Sequence, residues 1–159
     1  MINVGKGAWH GDPALKAEVV ARMLEHRAKD EIVQGFYQRN GADDSYRGCL
    51  LGCTLPSMEG KNWSEDWHQE VQDRYGIPVG ASKILEDTFE AQEDFGSAAA
   101  FAVESIEAIP VGADLSGVAQ MWVDVTRGPR YSGIPWWEMT AGEVLDLFRN
   151  APPVEVERS

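Results

Sequence analysis

The chain has 159 residues, a mass of 17.6 kDa and a formal net charge of −12 from 14 basic and 26 acidic residues. That length is one domain's worth, and 43% hydrophobic with 25% charged residues lies in the globular range, away from disordered, fibrous and membrane chains. The longest uncharged stretch, between Arg47 and Glu59, is eleven residues, short of the ~20 that a transmembrane helix needs; the start of the chain carries no apolar run after a basic residue, so a cytoplasmic address is expected.

Asp12-Pro13 reads as an N-cap and first-turn proline. Leu15, Val19, Val20, Met23, Leu24 and Ala28 follow at three- and four-residue spacing, which predicts a helix to about Gln34, ended by Gly35. His26 borders this stripe as a core-edge residue, and His10 is placed to donate to a backbone carbonyl where the chain enters the helix. Turn chemistry at 40–45 leaves Phe36 to Arg39 extended. Arg47 to Leu55 is a short apolar run, read as a buried two-turn helix. Ser64 caps a helix through Trp67, Val71 and Tyr75, closed by Gly76.

From Pro78 to about Gln92, Ile84, Leu85 and Phe89 share one side, leaving Glu86, Asp87, Glu90, Glu93 and Asp94 for solvent or a partner. Ser97 opens an Ala-rich helix stopped by Pro110 and Gly112. Asp114 or Ser116 caps a further helix, although Val123 to Thr126 also suits a strand. Thr140 and Glu143 fit a capping box before Val144, Leu145, Leu147 and Phe148. The sum is an all-α, single-domain bundle over 1–150 with five to six helices, a short strand pair possible, and a flexible tail at 151–159.

The charge is unevenly placed. Residues 1–62 hold eight acids and eight bases, residues 127–159 five and four, and 63–126 thirteen acids against Arg74 and Lys83, or −11. Such a segment repels phosphate backbones, which argues against direct nucleic-acid binding, and attracts basic protein surfaces. Aromatic residues supply most interface hot spots, so Trp63 and Trp67, and Trp136 and Trp137, join the acids as candidate partner contacts; Trp9 and Trp122 are assigned to the core.

Candidate chemistry is sparse. Cys49 and Cys53, four apart, share a helical face and with His68 form the one alternative metal or thiol set. Their spacing is neither a zinc knuckle nor the Cys-x-x-Cys of redox proteins, and buried reduced thiols are the simpler assignment. Carboxylates at 86/90 and 90/94 usually form a solvated face rather than a cation site. No nucleophile elbow or phosphate-binding glycine loop occurs, and no cofactor is implied.

Ala8-Trp9-His10-Gly11-Asp12-Pro13, Gly48-Cys49 with Gly52-Cys53-Thr54, Gly76-Ile77-Pro78, Leu85-Glu86-Asp87 with Phe89-Glu90, and Gly112-Ala113-Asp114-Leu115-Ser116 together resemble a family of bacterial and phage proteins, over roughly residues 8 to 120. The resemblance brings no activity or catalytic residue. Pro56 stands where members often carry a histidine, which weakens a shared Cys/His metal site. The phage association implies small proteins that inhibit host machinery, including anti-CRISPR-like inhibitors of defence nucleases. The leading expectation is therefore a non-enzymatic, acidic protein-binding domain that engages a basic, nucleic-acid-binding protein surface. The alternative is a small metal- or thiol-dependent enzyme using Cys49, Cys53 and His68.

Overall fold

A computed structural model describes residues 5–35, 37–40, 46–56, 66–127 and 138–155. The Asp12 carboxylate accepts the Ala14 N–H at 2.9 Å and starts α1 (Pro13–Ala28), burying Val19 and Met23. The helix stops at Ala28 rather than near Gln34. Asp30 takes a left-handed conformation (φ 54), and the Ile32 and Val33 that follow turn back to Gly48, whose N–H and C=O bond Glu31 and Val33. β-branched residues favour this extended pairing over continued helix.

β1 (Gln38–Asn40) and β2 (Tyr46–Gly48) form an antiparallel pair with Gln38 opposite Gly48. The strand pair thus lies here. Val123 to Thr126 belong to a helix. α2 (Leu50–Thr54) is short and buried at all five positions. A Cβ on Gly52 would fall 1.5 Å from the Tyr37 carbonyl, so only glycine lets the chain cross there.

Asp66, not Ser64, caps α3 (Trp67–Tyr75); Ser64 lies outside the described residues. α4 (Val79–Glu90) packs against α2, α3, α5, α6 and α7. α5 (Phe95–Ala108) begins on the Asp94 carboxylate, two residues before Ser97. α6 (Ser116–Arg127) follows, and α7 (Ala141–Arg149) opens with the capping box, both Thr140–Glu143 bonds being formed. The protein is mainly helical, with seven α-helices among the described residues rather than five or six. No helix among them is long and apolar enough to cross a membrane.

The amino-terminal motif ties these helices together. Trp9, fully buried, sits in a left-handed turn (φ 60) and donates its Nε1–H to the Ile109 carbonyl at 3.0 Å. Ala8 exchanges hydrogen bonds with Ala113 and Gly112, both 2.9 Å. His10 donates Nε2–H to the Asp73 carbonyl at 2.9 Å, the backbone role its position suggests. Residues 151–155 are held as well: Asp114 N–H bonds Pro152 O, and Val154 N–H bonds Gly112 O at 2.8 Å. The flexible tail expected at 151–159 is thus anchored over 151–155, and residues 156–159 lie outside the described residues.

α4 and α6 approach closely because Gly80 has no side chain: a Cβ there would lie 2.7 Å from the Ala119 carbonyl. At Gly117, in the first turn of α6, a Cβ would meet nothing within 4 Å. Gly80→Ala should lower the unfolding free energy by about 1–3 kcal/mol, from overpacking, in urea titrations. Gly117→Ala should leave it unchanged or raise it by about 0.5–1 kcal/mol. Equal losses at both positions would contradict this helix packing.

Candidate functional site

Two regions bear on function: the polar core around the cysteines, and the surface corner where α4 ends and α5 begins.

The cysteines are held by backbone. Cys49 caps α2, its Sγ accepting the Gly52 N–H at 3.4 Å, and Cys53 donates its thiol proton to the Gly48 carbonyl at 3.4 Å. Both are buried and free. Burial, reinforced for Cys49 by the Glu86 carboxylate and for Cys53 by Glu31, pushes both thiols far above the ordinary cysteine range. A thiol so disfavoured as thiolate is a poor nucleophile and a poor metal ligand.

His68 is buried on α3 but serves a different chain of bonds. The Ser82 hydroxyl donates to the Val79 carbonyl at 3.0 Å, so it accepts from His68 Nδ1–H at 2.8 Å, which leaves Nε2 to accept the Tyr37 O–H at 3.3 Å. That assignment makes the imidazole neutral. Burial, with the Lys83 ammonium, lowers its pKa to about 4. Cys49, Cys53 and His68 are thus not assembled as ligands, and among the described residues no three His, Cys, Asp or Glu side chains are placed to hold a metal ion. Ser82, 1% exposed with its proton on a carbonyl, is closed to substrate.

Glu86 corrects the sequence reading most directly. It was assigned to the solvent or partner face, yet it is only 8% exposed, and its Oε2 accepts the Leu51 N–H at 3.2 Å at the start of α2. The Cys49 thiol also bonds it. With α4 surrounded by other helices, its buried face is wider than the stripe of Ile84, Leu85 and Phe89. Burial raises the Glu86 pKa to about 7, Glu90 nearby adding to the rise.

The corner is different. Asp87, Glu90, Glu93 and Asp94 are exposed, and Phe95 next to them is 60% exposed. Asp94 caps α5 through the Ser97 N–H at 2.7 Å, and this bond holds its carboxyl below the usual range. Glu90 accepts the Gly35 N–H with both oxygens, at 3.1 and 3.0 Å. Gln34 donates its side-chain amide to the carbonyls of Phe89, Glu90 and Gln92, closing the end of α4. Asp87 and Glu90 therefore stand near the negative pole of α4, where cations are favoured, and no ion pair forms at Glu90 or Glu93 among the described residues.

Of the tryptophan candidates, Trp67 stacks on Tyr37 with ring centroids 5.0 Å apart and planes at 4°, which covers one face of its ring. Trp63, Trp136 and Trp137 lie outside the described residues. Trp122 is half-buried rather than central, with the Lys83 ammonium 4.4 Å from its ring centroid. Sequence reasoning missed Phe95, which at a helix start looks like ordinary core, and the Ser82–His68 pair, joined across two helices 14 residues apart. No family model matches the chain, and no curated protein or solved structure matches it either.

Two measurements check this geometry. Glu86 is protonated more readily in the folded chain than in the unfolded one, so stability from this group is full at low pH and falls as the pH rises from about 4.5 through about 7. Glu86→Gln keeps an acceptor for Leu51 N–H and should raise the unfolding free energy by about 1–3 kcal/mol at pH 8 and much less at pH 5. An unchanged pH slope would contradict the burial of that carboxyl. Ellman's reagent should modify neither cysteine in the native protein at pH 8 and both after denaturation; rapid native reaction would reopen the thiol alternative.

Proposed function

We propose that the protein acts by binding, and that its ligand is a basic surface of another protein, of the kind nucleic-acid-binding proteins present. The observation that carries this reading is the α4–α5 corner: Phe95 is exposed at the start of α5, directly after the exposed Glu93 and Asp94 of the turn and following the exposed Asp87 and Glu90 of the last turn of α4. Asp87 and Glu90 lie toward the negative pole of the α4 dipole, where a cation is favoured, and a basic partner would supply that charge.

The aromatic ring adds what charge alone lacks. Acidic fields speed association and select basic partners, while a Phe seated in a partner's apolar niche slows dissociation. The net charge of −12 favours proteins that handle nucleic acid over nucleic acid itself. Occupying such a partner's phosphate-binding surface would inhibit it, which is how this reading meets the implied role of phage inhibitors. The raised thiol pKa values and the closed Ser82–His68 pair weigh against the enzymatic alternative.

Phe95→Ala separates specific binding from general attraction, because it leaves the net charge untouched. Affinity for a basic protein captured from host lysate at low salt should fall at least roughly tenfold with Phe95→Ala, and also with Glu93→Lys. Capture that ignores Phe95→Ala, or direct retention of DNA by the native protein, would contradict the proposal.

A further inference from the structure

A second open site lies near the other end of α5, which at 1.5 Å per residue is about 21 Å long. There α6 and α7 flank a cavity of about 690 Å³. Val118, Met121, Met139 and Leu147 form its apolar lining, and Asp114, Glu143 and Asp146 are its charged members. Among the described residues no basic side chain lines it. We infer that this groove binds a small organic cation: an ammonium or amidinium group carried on an aromatic or aliphatic body.

The three carboxylates are held in place by the fold. Each uses one oxygen to anchor itself within the chain: Asp114 Oδ1 accepts the Ser116 N–H and O–H at 2.9 and 2.6 Å, Glu143 Oε1 accepts the Thr140 N–H at 3.0 Å, and Asp146 Oδ1 pairs with Arg149 at 2.7 Å. The acids are oriented by helix caps and one surface pair, so a cation entering the groove meets carboxylates whose positions are already fixed. Hydrogen bonds from a cation to carboxylates are the strong, charge-assisted kind. The volume falls in the range of small-molecule sites, and two thioethers give a lining that adapts to flat or branched bodies. An anion would meet the negative charge of Asp114 and Glu143, with Asp146 partly offset by Arg149, and a neutral body would gain only the apolar contact.

Gly117 supplies the test. It lines the cavity, and a Cβ built on it meets nothing within 4 Å, so a large side chain can enter the groove without disturbing the backbone. Calorimetric titration at low salt would compare 2-phenylethylammonium with neutral 2-phenylethanol and anionic 3-phenylpropanoate. The ammonium should bind at one saturable site at least roughly tenfold more tightly than the other two. Gly117→Phe should abolish that binding, and Asp146→Asn, on the exposed face of α7, should weaken it several-fold. Phe95→Ala should leave it unchanged, so failure here and failure at the α4–α5 corner are distinguishable. Equal response to the three probes, or ammonium binding that survives both Gly117→Phe and Asp146→Asn, would reduce the effect to attraction by an acidic chain and overturn the inference. A dimer of the native protein that Gly117→Phe dissociates would assign the groove to a second copy and overturn it equally.

Discussion

The fold depends on one buried indole. Trp9 and His10 both adopt left-handed backbone conformations that cost an ordinary residue roughly 1–2 kcal/mol each, and the turn persists because Trp9 is wholly enclosed and hydrogen-bonded to the Ile109 carbonyl. Losing such a side chain costs about 3–5 kcal/mol in a packed core, enough to outweigh the strain. Around that turn the start of the chain meets the end of α5, the Gly112–Ala113 corner and the end of α3. A Cβ on Gly76 would lie 2.5 Å from the Gly7 carbonyl, and one on Gly7 2.6 Å from Gly112, so two glycines are needed for the clasp to close. Three of the separated motifs, Ala-Trp-His-Gly, Gly-Ile-Pro and Gly-Ala-Asp, are therefore one structural object.

The remaining motifs form a second. Cys49, Gly52 and Cys53 lie where the chain around Tyr37 crosses α2, and Glu86 reaches from α4 to hold the start of that helix. The last carbonyl of α2, on Thr54, accepts from Arg22 at 2.6 Å and from the Tyr75 hydroxyl. Residues that suggest chemistry when met in sequence are thus absorbed in satisfying the ends of a five-residue helix too short to stand alone. Removing solvent from them makes the thiols inert and the carboxyl weak, the reverse of what nucleophilic catalysis or metal binding requires.

The helical class, the caps at Asp12 and Thr140, and the stops at Gly76 and Pro110–Gly112 were legible because each depends on residues within one turn of each other. The early end of α1 was not, since Gly48, which draws Glu31 and Val33 away from the helix, is 15 residues beyond Val33. Glu86 was misplaced for a related reason: helical spacing shows which residues share a face, not how many neighbours surround the helix. The acidic corner was legible as composition, and Asp87, Glu90, Glu93 and Asp94 do reach solvent. That Phe95 stays exposed among them is a tertiary result, and the proposed partner surface depends on it.

In this account, scaffold and proposed function are separated in space: Trp9, the cysteines and Glu86 build a closed interior, and recognition is assigned to an exposed corner, to which the motif residues Asp87 and Glu90 also belong. Hydrogen exchange on the protein, alone and in complex with a purified basic partner, tests that separation most directly. The account predicts new protection confined to the end of α4 and the start of α5, with α2 and its flanking strand already protected and unchanged. New protection centred on 46–54, with the corner still exchanging freely, would contradict it and return function to the buried polar core.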